Sequence, residues 1–124
     1  EVGRFLIREE ELRNKMKGIF LEGIEIDPEH RGKGIGKAVV KQLLRRGDII
    51  LGTITEDECK PFWSKVGAVL RPIPLDAFNE RYLPSIKTKD PQFFFVTTNK
   101  EAAEFAEKMA VEMPILMRKH KEML

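Results

Sequence analysis

The chain has 124 residues, of which 34% are charged, with 22 lysines and arginines against 20 aspartates and glutamates. A net charge of +2 argues against a protein that coats nucleic acid and against a polybasic membrane anchor. The single cysteine excludes an internal disulfide and fits a reducing compartment. No apolar run approaches the roughly 20 residues that a membrane-spanning helix needs. We therefore expect one domain, residues 1–124, in the cytoplasm.

The first quarter of the sequence predicts two strands. Residues 2–7 form the first strand, and residues 9–17 are interpreted as the turn of a β-hairpin, with a short helix as the alternative. Residues 19–26 form the second strand. Its alternation places Phe20, Glu22, Ile24 and Ile26 on one face and Leu21, Gly23, Glu25 and Asp27 on the other.

A glycine-rich turn and an amphipathic helix follow the second strand. The turn reads Arg-Gly-Lys-Gly-Ile-Gly-Lys over residues 31–37, and the helix runs over residues 37–46 until Gly47 ends it. Glycine permits positive φ and the close approach of a ligand, and the first N–H groups of a helix have no partner within it. The pattern therefore predicts an anion site suited to a phosphate or pyrophosphate. A turn that only closes a strand–helix pair is the alternative.

The rest of the chain predicts three more strands and two more helices. Residues 48–55 form a strand parallel to the second one, because a helix connects the two. A capping box of Thr55 and Glu58 starts a short helix that ends at Gly67, and residues 68–70 form the next strand. An irregular segment of roughly twenty residues leads to a strand over residues 93–98. Thr98 and Glu101 then cap a C-terminal helix.

Two motifs in this order resemble the GNAT acyltransferase superfamily. The fixed positions of the family's Arg/Gln-x-x-Gly-x-Gly/Ala signature, which follows its fourth strand, are occupied by Arg31, Gly34 and Gly36. Those of a later helix end are occupied by Phe62, Trp63 and Gly67. The resemblance spans residues 20–70. It implies an α/β (α+β) fold with a mixed, mostly antiparallel twisted sheet flanked by helices, here with a C-terminal helix. Because the family usually has a strand and two helices before this region, we expect a compact or N-terminally trimmed member.

The resemblance implies acetyl-CoA as the acyl donor and assigns residues to it. The pyrophosphate would lie on the glycine-rich turn, formed by Arg31, Gly32, Lys33, Gly34, Ile35, Gly36 and Lys37. The pantetheine arm would contact Ile24 and Ile26 on the strand, with Trp63 packed beside it.

Two departures from the family pattern concern catalysis. Glu56 aligns with a family asparagine that binds the pantetheine arm, and Trp63 aligns with a tyrosine that often protonates the leaving thiolate. An indole N–H cannot act as a general acid. Tyr82, the only tyrosine, is the candidate to supply that hydroxyl. Glu22 and Glu25 are the candidate general bases, with solvated edge carboxylates as the alternative.

The predicted function is N-acyl transfer, of acetyl from acetyl-CoA to an amine, by direct attack in a ternary complex. A non-catalytic CoA-binding or interaction module is the alternative, and a nucleic-acid-modifying protein is a third interpretation that the balanced charge disfavours. The sequence does not identify the amine acceptor, and it predicts no metal site.

A methionine-rich stripe on the C-terminal helix predicts a homodimer. Apolar side chains recur there at helical spacing: Ala102, Phe105, Met109, Met113, Leu116 and Met117. Such surfaces often form interfaces. We expect a contact through residues 93–120, and a helix buried against its own sheet is the alternative.

Overall fold

A computed structural model describes residues 3–26 and 32–123. Its strands are β1 (Gly3–Glu11), β2 (Lys17–Ile26), β3 (Ile49–Ile54), β4 (Val69–Pro72) and β5 (Gln92–Val96). Its α-helices are α1 (Ile35–Arg46), α2 (Lys60–Lys65) and α3 (Lys100–Met123). The strands form one sheet in the order β1-β2-β3-β5-β4, in which only the β2–β3 pair is parallel. The predicted mixed, mostly antiparallel sheet with a C-terminal helix is confirmed.

The hairpin of β1 and β2 contains an irregularity that the sequence did not reveal. Its turn is a 3₁₀ segment, Arg13–Lys15, which confirms the hairpin interpretation. In the register, Leu6 pairs with Gly23 and Ile7 pairs with Leu21, so Glu22 is an extra residue in β2. This is a β-bulge, which re-aims a side chain and increases local twist. The straight alternation predicted for residues 19–26 was therefore wrong at Glu22.

The sheet buries side chains on both faces. Three consecutive phenylalanines of β5 alternate between them: Phe93 and Phe95 pack on the side of α3, and Phe94 packs on the side of α1 and α2. The α3 side also contains Leu51 and Ala106, and the opposite side contains Ile50. This near-continuous apolar pattern is what a strand covered on both faces requires.

Helix α3 covers one face and uses its methionines within the chain. Met109, Met113 and Met117 pack against the core of that face. The helix continues through Pro114. Its cap is Asn99, whose Oδ1 accepts hydrogen bonds from the N–H groups of the next turn at 2.9 and 3.2 Å, so the predicted Thr98 cap was wrong.

Strand β5 does not form the surface that the dimer prediction gave it. Phe93, Phe94 and Phe95 are 2–3% exposed, and the strand lies between β3 and β4. These side chains are almost fully buried within the chain and cannot form a contact with a second copy. The prediction that this strand lies in a dimer interface is therefore corrected.

The long connection from β4 to β5 is ordered against the rest of the molecule. It contains two 3₁₀ turns, Leu75–Ala77 and Leu83–Ser85. Near the first turn, Asp76 pairs with Arg118 of α3 at 2.8 Å. Further on, the N–H of Lys87 donates to the carbonyl of Thr55 at 2.8 Å. The segment therefore connects α3 to the end of β3.

Candidate active site

The two parallel strands separate half-way along their length. They pair from Gly18 with Ile49 to Phe20 with Leu51, and the described register continues no further although both strands do. A cavity of about 260 Å³ opens where the pairing stops. Its lining comes from β2, from the end of β3, and from the elements behind them: Leu21, Glu22, Thr53, Ile54, Thr55, Glu56, Cys59, Trp63 and Phe94.

The N-terminus of α1 lies at this open end. The other end of the strand–helix–strand unit is closed by two bonds between Lys17 and Asp48: backbone N–H to carbonyl at 2.8 Å and backbone N–H to carboxylate at 2.7 Å. Because both strands start there, the connecting helix returns antiparallel to them and begins beside their carboxyl ends. Ligands of open α/β sheets bind at this end of the strands.

The glycine-rich turn has the backbone that the sequence predicts. Gly32 and Gly34 have φ of +80° and +76°, and a Cβ built on either would meet no described atom within 4 Å. Gly34 is the N-cap of α1, whose first turn carries no acidic residue. Lys33 and Lys37 are exposed. Arg31 lies outside the described residues, and the side chains of Ile24 and Ile26 are likewise not described.

An aromatic stack forms the inner wall of the cavity. Trp63 is 3% exposed, stacks on Phe94 at 4.0 Å between ring centroids and meets Phe62 edge-on at 5.0 Å. Gly52 makes room for this stack, because a Cβ there would lie 2.6 Å from Cε1 of Phe94. It would also lie 3.1 Å from the carbonyl oxygen of Leu21, on the opposite strand. Trp63 is thus a fixed core residue with one side on the cavity.

The bulged Glu22 brings a carboxylate to the cavity. Its side chain is 52% exposed and pairs with Nη1 of Arg8 on β1 at 3.1 Å. The Arg8 guanidinium lies over the ring of Phe20, 5.1 Å from its centroid, and pairs with Glu10 at 2.9 Å. A solvated but oriented carboxylate beside a cavity can accept a proton from a bound ammonium.

The described structure does not place the other two candidate catalytic residues, Tyr82 and Glu25, at the cavity. Tyr82 is 64% exposed on the β4–β5 connection and is not among the residues that line the cavity. The side chain of Glu25 lies outside what the structure describes. Glu22 is thus the candidate that the fold brings together with Trp63 and the end of β3.

Seven of the nine cavity residues were not predicted as site residues, and two of the seven, Glu56 and Cys59, carry titratable side chains. Glu56 and Cys59 were interpreted as parts of a capped helix, but Asp57–Cys59 form a 3₁₀ turn without a side-chain cap, so the Thr55 capping box was wrong. Burial, helped by the negative charges of Glu56 and Glu58, raises the pKa of the Cys59 thiol. Such a thiol is a poor nucleophile at neutral pH.

A polar cluster joins the β4–β5 connection to the rim of the cavity. The hydroxyl of Thr88, which is 7% exposed, donates to Oδ1 of Asp57, and Nζ of Lys60 lies 2.9 Å from the same oxygen. These two hydrogen bonds lower the pKa of the Asp57 carboxyl. Asp90 completes the cluster, 3.8 Å from Nζ of Lys60.

The described residues, 3–26 and 32–123, contain neither a candidate metal site nor a candidate membrane-spanning helix. No three histidine, cysteine, aspartate or glutamate side chains are grouped so that they could ligate a metal ion. No helix there combines the length and apolar character needed to cross a bilayer.

Part of this chain matches a known protein family. The sequence model of the Acetyltransferase (GNAT) family matches residues 2–49. No curated protein matches the sequence.

Several solved structures share the fold at low sequence identity. Arabidopsis thaliana Naa50, in complex with the bisubstrate analogue CoA-Ac-MVNAL, is 16% identical with a TM-score of 0.59 over 77% of this chain. Chaetomium thermophilum Naa20, in complex with a bisubstrate analogue, is 15% identical with a TM-score of 0.57 over 77%. A Bacillus anthracis acetyltransferase in complex with acetyl coenzyme A is 16% identical with a TM-score of 0.57 over 79%.

The chain spans 65%, 59% and 57% of the length of these three proteins. At such identities the likeness shows the fold. Together with the family match over the first two strands and α1, it confirms the resemblance seen in the sequence: this chain has the fold of the GNAT acetyltransferases.

Proposed function

We propose that the protein is an N-acetyltransferase that transfers acetyl from acetyl-CoA to an amine. One observation carries the proposal: the parallel strands β2 and β3 separate at the end of the sheet where a positive-φ glycine turn opens α1. The structural neighbours include proteins in complex with acetyl coenzyme A and with a CoA-containing bisubstrate analogue, which supports acetyl-CoA as the donor.

The donor would lie along the turn and enter the gap between the strands. The N–H groups of residues 32–37 would bind the pyrophosphate, because the first turn of α1 has no acidic residue and a ligand can approach the glycine backbone closely. Ile24 and Ile26 would contact the pantetheine arm, and Trp63 would pack against it from the wall. Past Phe20, the edge of β2 that faces β3 has no described ladder pairing, so an N–H there can polarise the thioester carbonyl.

The reaction would be direct attack by the acceptor amine. Glu22 is the proposed base that takes a proton from the acceptor ammonium, while Glu25 and Tyr82 remain predictions. Attack forms the C–N bond and breaks the C–S bond, and the thiolate leaves with a proton from solvent or from the amine. Most of the rate would come from positioning and from electrostatic stabilisation.

A non-catalytic CoA-binding module is the second candidate. One observation favours it: Trp63 occupies the place where the family often has a tyrosine, and the only tyrosine is 64% exposed and away from the cavity lining. Such a module would bind acetyl-CoA and show no turnover with any amine.

The test uses the only tryptophan in the chain, Trp63, as a reporter of the cavity. Acetyl-CoA should change its fluorescence, and calorimetry should give the affinity. Gly34→Ala should weaken binding strongly, because its φ of +76° strains any side chain and its Cβ would occupy the open space above the turn. Lys33→Ala should weaken it only modestly, since an exposed charge is screened.

Equal losses in the two variants would show that side-chain charge holds the donor. No binding by the wild type would end the proposed function. Binding without turnover across small amines, polyamines and peptides would support the module instead.

Three further expectations remain proposals. We propose the cytoplasm as the compartment, on the single cysteine, and no nucleic-acid partner, on the net charge of +2. We propose a homodimer through the outward face of α3, where Val111 is 70% and Ile115 is 50% exposed, because the methionines pack inward. Light scattering of wild type against Val111→Glu tests this.

A further inference from the structure

Residues 87–90 fasten the β4–β5 connection to the rim of the cavity. The N–H of Lys87 donates to the carbonyl of Thr55, a cavity residue, at 2.8 Å. The next residue, Thr88, is 7% exposed and bonds to Asp57, which in turn pairs with Lys60 at 2.9 Å. The backbone of Lys87 therefore has a fixed position beside the end of β3.

The side chain of Lys87, in contrast, is loosely held. Its Nζ lies 4.0 Å from Oε1 of Glu56, and the Lys87 side chain is 71% exposed. Exposed ion pairs contribute little stability and break easily. Glu56 lines the cavity. An amine on a flexible stem is thus tethered at the mouth of the cavity, next to a carboxylate that can accept its proton.

We propose that Lys87 is a site of self-acetylation, modified by acetyl-CoA bound in the gap between β2 and β3 of the same chain. This rests on the proposed function, because it requires the donor in that gap. A tethered amine reacts at an effective concentration far above that of a free one. The other lysines of the described surface lack this combination of a backbone anchor on a cavity residue and a cavity carboxylate beside Nζ.

The Lys87 ammonium gives one proton to Glu56, and the neutral amine attacks the carbonyl carbon of the thioester. The C–N bond forms, the C–S bond breaks, and CoA leaves as a thiolate. The nitrogen loses its second proton to the thiolate, which leaves acetyl-lysine and CoA thiol, and Glu56 returns its proton to solvent.

The modification would change the site itself. Acetyl-Lys87 is neutral and can no longer pair with Glu56. The carboxylate would then be open to the ammonium of an external acceptor.

The experiment incubates the full wild-type chain with acetyl-CoA and follows each lysine by peptide mass spectrometry. The matched control is Lys89, an exposed lysine two residues further along the same segment. We expect Lys87 to be acetylated at least about tenfold faster than Lys89, with a rate constant that does not change on dilution of the protein. In Glu56→Gln, acetylation of Lys87 should fall by about a hundredfold relative to that of Lys89, a ratio that cancels any change in donor binding.

Equal rates at Lys87 and Lys89, or a rate at Lys87 that falls with dilution, would overturn the proposal. Acetyl-CoA binding, measured through Trp63 fluorescence, separates it from the proposed function. Binding with Lys87 unmodified overturns only the self-acetylation, whereas no binding overturns both. Lys87→Arg, which keeps the charge beside Glu56, should bind acetyl-CoA like the wild type and lose the modified peptide.

Discussion

The two ends of the β2–β3 pair differ in strand pairing and in burial. At the closed end, Ile19 and Leu51 are 0% exposed within three consecutive ladder pairs. At the open end, the same strands have no described ladder pairing and leave a cavity of about 260 Å³. Thr53 is exposed there, only two residues beyond Leu51.

The difference indicates that one end of this strand pair contributes to stability and that the other end is available for ligand binding. Parallel strands normally stay paired and buried along their length. Here the bulge at Glu22 and the ring of Phe94 over Gly52 accompany the separation, and the unpaired edges become available to a ligand. Variants at the closed end should therefore change folding, and variants at the open end should change binding.

The largest effect should come from truncating the closed end. Leu51→Ala removes a side chain that is 0% exposed, and we expect it to lower the free energy of unfolding by about 2–5 kcal/mol. Thr53→Ala, on the same strand, should change it by no more than about 0.5 kcal/mol, because this side chain is exposed. Urea denaturation of both variants measures the difference in the free energy of unfolding. Similar losses would contradict the assignment of stability to the closed end.

An added methyl group at Gly52 should reduce both stability and binding. In Gly52→Ala the new Cβ would lie 2.6 Å from the buried ring of Phe94, so the ring must shift, at a cost of about 1–3 kcal/mol. The shift would disturb the stack with Trp63 and weaken acetyl-CoA binding.

Gly18→Ala is the matched control for this variant. It lies in the closed end, and its Cβ would lie 2.8 Å from Cδ1 of Leu12, the far end of a flexible side chain. We expect a smaller loss of stability and unchanged acetyl-CoA binding. If Gly18→Ala weakened binding as much as Gly52→Ala, the wall beside Gly52 would not be specific to the site.

Local sequence signals predicted the strands, the turn and the helix that surround the two ends of the β2–β3 pair. The continuous apolar run of β5, the glycines of the turn and the amphipathic pattern of α1 are each visible in neighbouring residues of the sequence, so these features could be predicted. The helix that connects β2 to β3 also predicted that the two strands are parallel, and the structure confirms this. These elements were confirmed within a few residues of the expected ends.

The details that shape the site depend on contacts between distant residues. Alternation gives no sign of the extra residue at Glu22, because a bulge is defined by the partner strand. Thr88 and Asp57 are 31 residues apart, and nothing near either one indicates their hydrogen bond. Asn99 rather than Thr98 caps α3, a choice between adjacent residues that both favour caps.

A smaller effect should appear in the chemistry of Cys59, in the wall of the open end. Because burial and two nearby glutamates raise the pKa of its thiol, the reactive thiolate is scarcer at a given pH than for a free cysteine. We expect slow alkylation by iodoacetamide at neutral pH, with a rate that rises with pH through a midpoint above the usual range. Glu58→Gln should lower that midpoint, and acetyl-CoA should protect the thiol. Fast alkylation that acetyl-CoA does not slow would place Cys59 away from the ligand.

The smallest effect concerns the acid side of the stability profile, through Asp57 at the rim. The hydrogen bond from Thr88 lowers the pKa of this carboxyl in the folded chain, followed by the contact with Lys60. A carboxyl with a depressed folded pKa contributes stability above its unfolded pKa of about 3.9, and loses it as the pH falls through the folded value. Thr88→Val should therefore cost more stability at neutral pH than at about pH 3, where Asp57 is protonated in the unfolded chain. Thr88→Ser, which keeps the hydroxyl, should restore most of the difference. Thermal denaturation at both pH values decides the matter, and an equal loss at both would mean that Thr88 acts only through packing.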